Sequence, residues 1–132
     1  MATFLDMDVN DAKEYKSTSE GEYQLKVMAA EIKTSKNTGG DYISVKLQIL
    51  GDDPFLKDVN HTLMIPTSKD DVKQANNRKL AIRNFMNAFG IEVTTKITPE
   101  DWVGNTGWAL LVEEHSEQYG DSNKIKRVIV SK

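Results

Sequence analysis

Residues 21–50 read GEYQLKVMAAEIKTSKNTGGDYISVKLQIL, two alternating apolar and polar runs joined by the basic, glycine-containing turn Ser35-Lys36-Asn37-Thr38-Gly39-Gly40. Strict alternation marks half-buried strands, because successive side chains of an extended chain point to opposite faces. In the second run Ile43, Val45, Leu47 and Ile49 are expected to face a core, and Tyr42, Ser44, Lys46 and Gln48 to face out. In the first run, from about residue 22 to 34, Tyr23, Leu25 and Val27 keep one phase, and Ile32 rejoins it only if an extra residue is inserted near Ala29-Ala30. A bulge of that kind lets a long strand bend around the corner of a barrel.

Downstream, Gly51-Asp52-Asp53-Pro54 turns the chain, and a third strand over about 56–65 alternates Val59, His61, Leu63 and Ile65 against Asp58, Asn60, Thr62 and Met64. Pro66 ends it. Ser68-Lys69-Asp70-Asp71 has capping-box spacing, which predicts a helix over 72–89. Ala75, Ala81, Ile82, Phe85, Met86, Ala88 and Phe89 fall on one arc of that helix, with Lys73, Asn76, Lys79, Arg83, Asn84 and Asn87 opposite and Gly90 at its close. Thr98-Pro99-Glu100-Asp101-Trp102 reads as a capped single turn whose tryptophan plugs an end of the core. Strands over about 108–115 and 124–130 follow, the first with Leu110, Leu111 and Val112 covered on both faces.

The expected class is all-β with one main helix. Strand, strand, strand, helix, strand, strand is the order of the OB-fold, a five-stranded Greek-key barrel, and the bulged long first strand is what that barrel requires. Other small barrels with one helix remain open on order alone. Residues 1–20, with Phe4, Leu5, Met7 and Val9 among acids and Lys16-Ser17-Thr18-Ser19-Glu20 at the end, read as an arm or linker, and 21–132 as the barrel domain.

The 132 residues make one domain that buries about two thirds of the surface of its unfolded chain. The absence of cysteine excludes disulfides and thiolate ligands and fits a reducing cytoplasm, the expected location. No apolar stretch has membrane-spanning length, and the acidic start lacks the pattern of a signal peptide. The net charge of -3 favours a protein or small-ligand partner, yet residues 1–22 carry six acids against two lysines, so they hold -4 and the remainder is +1. Positive charge then clusters in 69–83 and 123–132, either as a solvated face or as a track for an anionic polymer.

Catalysis is not expected. Two histidines, His61 and His115, no Gly-x-Ser-x-Gly turn and adjacent acids that point to opposite strand faces assemble no nucleophile and base. His61 lies in the inward phase and reads as a hydrogen-bonded barrel histidine, and no cofactor or metal is expected. In a barrel of this order the binding surface is the face of strands two and three, flanked by the one–two and four–five loops. Lys33, Lys36, Tyr42, Lys46, Asn60, His115, Tyr119 and Lys124 occupy those places, and Arg127 on the last strand adds a further cation. Rings free to stack on bases and cations that hold phosphates are what single-strand binding needs. Tyr42 can equally be a cross-strand packing partner, and Trp108 reads as core.

Gly21-Glu22-Tyr23, the run from Glu31 through Gly40 into Asp41-Tyr42-Ile43-Ser44-Val45, the helix end from Ala81 to Gly90, and Gly120-Asp121-Ser122-Asn123-Lys124-Ile125 resemble phage-encoded single-stranded-DNA-binding proteins of replication and recombination cassettes. The likeness spans residues 20–130. It implies an OB-fold that coats single strands without reading sequence, with replication or recombination proteins as candidate partners; the sequence leaves the oligomeric state open, a homodimer among the candidates. One departure is the ending Val130-Ser131-Lys132, where many such proteins carry an acidic, aromatic-tipped recruitment tail. The reading from another class is a protein-interaction or virion structural β-barrel, which the acidic total and the apolar Phe4-Leu5 arm favour.

Overall fold

In the computed structural model, which describes residues 3–37, 39–118 and 120–130, alternation becomes burial almost residue for residue. Strands β1 (Gly21–Thr34), β2 (Asp41–Ile49) and β3 (Val59–Met64) precede helix α1 (Val72–Ala88), a 3-10 turn (Pro99–Trp102), and strands β4 (Thr106–Ser116) and β5 (Gly120–Ile129). All pairings are antiparallel, in one five-stranded sheet of order β3-β2-β1-β4-β5. The fold is thus mostly β with one main helix. Its sheet is open: β3 and β5 are the two edges, and no ladder joins them among the described residues.

The bulge falls one step before the expected place, between Val27 and Ala29, leaving Met28 exposed and returning Ala30 to the core opposite Val45. From there Ile32 pairs with Ile43, but it is 51% exposed because it lies at the open end of the sheet. Leu25, Val27, Val45, Leu47, Val59, Ala109 and Leu111 are fully buried beneath the helix. Only the second half of α1 reaches them, through Ile82, Phe85 and Met86, and Phe89 follows just beyond its end. Trp102 is 2% exposed and closes the same core.

Two helix ends explain how the helix is set against the sheet. The N-cap is Asp71, not Ser68: its carboxylate accepts the Gln74 N–H at 2.7 Å. Asp70 is drawn away to the Thr67 N–H and, at 3.0 and 3.1 Å, to one Arg78 nitrogen. At the other end Gly90, at φ +65°, turns the chain so that the Ile91 N–H reaches the Met86 carbonyl at 2.8 Å. β4 then enters directly under that end. A Cβ on Gly107 would stand 2.5 Å from the Ala88 carbonyl oxygen and 2.8 Å from the Phe89 ring, so the close approach requires glycine.

The N-terminal segment is tied down at its root. Lys16 forms a parallel bridge with Leu56, exchanging backbone hydrogen bonds with Phe55 and Lys57, and β3 begins at Val59, not at 56. Asn123, 5% exposed, accepts the Thr18 N–H at 2.8 Å and donates to the Thr18 and Val112 carbonyls. Residues 3–16 are exposed throughout. Among the described residues no helix is long and apolar enough to cross a membrane.

Candidate nucleic-acid interface

The outward residues of β2 form the centre of a three-strand panel fixed by register. Tyr42 lies between Lys33 of β1 and Met64 of β3, Ser44 between Glu31 and Thr62, and Lys46 between Ala29 and Asn60. The panel therefore brings Lys33, Tyr42, Lys46 and Asn60 together on one face, opposite the buried Ile43, Val45 and Leu47. Lys36 stands exposed in the hairpin at one end, where the Ser35 N–H bonds the Gly40 carbonyl at 2.8 Å. At the other end the β4–β5 hairpin is held against the β2–β3 loop by Lys57, whose ammonium donates to the Asp121 carbonyl at 2.6 Å.

Three features differ from the sequence expectation. Tyr42 faces outward but is half-buried between its neighbours, so a base would meet one part of the ring and not a free-standing plane. Lys33 and Lys46 each carry a carboxylate partner, Glu31 at 3.2 Å and Asp58 at 3.7 Å. Exposed pairs of this kind are worth about 0–1 kcal/mol, so a phosphate can displace the carboxylate at small cost. Trp108, expected in the core, occupies the outward phase of β4 between Gln24 and Ile129 and is half-buried.

The remaining residues lie around the panel and not on it. Arg127 is exposed on β5 and lines the cleft between the β3 and β5 edges with His61 and Leu63. Lys124 is exposed farther along β5, toward the hairpin. Tyr119 lies outside the described residues. Sequence reasoning missed Arg78, which it counted only as one charge of the basic cluster in residues 69–83. With Gly39, Gly40, Met64 and Lys69 it lines a depression beside the panel, and its side chain is committed to Asp70. Lys57 was equally invisible, because its partner is 64 residues away.

The two histidines behave oppositely. His115 bonds the Asp121 carboxylate at 2.5 Å on the exposed hairpin, and that hydrogen bond, then the charge, raises its pKa above the ordinary 6.5. His61 stacks on Phe85 at 5.9 Å and 19°, and desolvation by burial lowers its pKa. The charged side chains lining the cleft with it are Lys126 and Arg127, both cationic. A histidine that stays neutral in the fold but protonates when unfolded makes stability rise with pH between its lowered folded value and 6.5. Because the raised His115 contributes with the opposite sign in both proteins, we expect the stability of the wild type relative to His61→Gln to fall as pH drops below 6.5; melts at paired pH values measure it.

The described chain is thus a mostly-β domain with an outward aromatic ring beside lysines on one face of its sheet. The chain belongs to the family described as protein of unknown function DUF669, which it matches over residues 5–128. A comparison with curated proteins finds no match.

Proposed function

We propose that this protein coats single-stranded DNA without reading sequence, as a non-enzymatic component of phage genome replication or recombination in the host cytoplasm. The observation that carries the reading is the panel in which Tyr42 is flanked by Lys33, with Lys46 and Asn60 two steps along the same strands. Bases stack on the exposed part of the ring, and the lysines, together with Lys36, Lys124 and Arg127, track the phosphates. We further read the open sheet as an OB-fold. The β3 and β5 edges approach each other across a narrow cleft lined by His61, Leu63 and Ile125, which supports closure of a Greek-key barrel there.

Mobility shift or tryptophan fluorescence with oligo-dT and with duplex DNA, at low and moderate salt, tests the reading. Binding should be confined to the single strand, and log affinity should fall with log salt at about -0.7 per phosphate neutralised. Salt-independent binding or a preference for duplex overturns it. The second reading, a protein-interaction or virion structural barrel, is favoured by the carboxylates already paired with Lys33 and Lys46. It predicts no shift with any oligonucleotide.

A further inference from the structure

A trough of about 630 Å³ opens at the end of the sheet where β1 finishes and β2 begins. Ile32, Ile43, Ile65, Ile82, Val93 and Ile97 give it an apolar floor and wall, and Lys79 and Arg83 of α1 line it as well. Ile32, Val93 and Ile97 are 51%, 50% and 38% exposed, and no carboxylate lines it among the described residues. An apolar concavity lined by two cations calls for an apolar occupant with negative charge beside it.

The chain carries a segment of that description. Leu5, Met7 and Val9 are 77%, 60% and 65% exposed and alternate with Asp6 and Asp8, and Phe4 is 87% exposed. In an extended conformation the three apolar side chains fall on one face and the two carboxylates on the other. We propose that this arm docks in the trough of a second copy, Leu5, Met7 and Val9 against the isoleucines and Asp6 and Asp8 toward Lys79 and Arg83, so that two chains exchange arms reciprocally.

Geometry selects a second copy over the arm's own trough. The arm is rooted at Lys16 on Leu56, beside the end of β2, whereas the trough lies at the start of β2. The six steps from Ile43 to Ile49 already span about 20 Å, and the seven steps from Val9 to Lys16 reach at most about 25 Å when fully straight. Self-docking would use nearly the full reach of the arm. Exchange carries no such constraint, and its two-fold symmetry fills both troughs at once.

Sedimentation of the full chain without DNA, over a wide concentration range, tests the exchange independently of nucleic-acid binding. The wild type should show a monomer–dimer equilibrium. Leu5→Asp with Met7→Asp, both on the exposed arm and so harmless to the fold, should raise the dimer dissociation constant on the order of tenfold or more. Lys79→Glu with Arg83→Glu should weaken the dimer, and Asp6→Lys with Asp8→Lys should restore it. A chain that stays monomeric at every concentration, whether its arm folds onto itself or awaits a different protein, overturns the proposal. So does a dimer indifferent to the arm substitutions.

Discussion

Replacing Tyr42 by alanine should weaken oligo-dT binding by about 1 to 3 kcal/mol, roughly five- to 150-fold, while leaving the thermal transition nearly in place. The ring stands on the outward face of β2, so its removal opens no cavity among the buried Ile43, Val45 and Leu47 behind it. Its half-burial between Lys33 and Met64 places the expected loss toward the lower part of that range, since part of the ring already packs on the panel. Tyr42→Phe should retain most of the affinity, because stacking uses the ring and not the hydroxyl. Lys33→Ala and Lys46→Ala should each cost less and flatten the salt dependence by about one phosphate's share, as each lysine exchanges a carboxylate for a phosphate. Isotherms and melts on the four variants decide it: a Tyr42→Ala protein that binds like the wild type removes the panel as the site.

Much of that panel was legible in residues 21–50, because alternation and burial are the same physical fact seen twice. Ile43, Val45, Leu47 and Ile49 sit where their phase puts them, and the extra residue in β1 follows from the phase of Leu25 and Val27 against Ile32. What sequence could not show depends on partners distant along the chain. The Lys46 pair with Asp58 and the Lys57 bond to Asp121 are consequences of register and loop approach, and no local pattern encodes them. The Lys16–Leu56 bridge is another contact between segments distant along the chain. The helix cap failed differently: Ser68 and Asp71 both satisfy the local rule, and it is Asp71 that accepts the Gln74 N–H, while Asp70 pairs with Arg78. Ile32 shows the limit of phase itself, since an inward-facing residue at an open sheet end remains half exposed.

Phe85→Ala should be the most damaging single substitution to the fold, costing about 3 to 5 kcal/mol. The ring is fully buried and is the meeting point of three others: Phe89 at 4.4 Å, Trp102 at 5.4 Å and His61 at 5.9 Å. It joins the only half of α1 that touches the core to β3 and to the 3-10 turn, so its loss unfastens helix, sheet edge and plug together. For a domain of this size, that cost lowers the melting temperature by roughly 10 to 20 °C. Phe85→Leu, which keeps most of the volume, should cost markedly less. Below the transition, Phe85→Ala should still bind oligo-dT, because the ring and the panel lie on opposite faces of the sheet. The cavity should also admit water to His61 and relieve the desolvation that lowers its pKa, so the acid-dependent difference between this background and its His61→Gln derivative should narrow. A Phe85→Ala protein that melts within a few degrees of the wild type would show that the aromatic cluster does not hold the helix to the sheet.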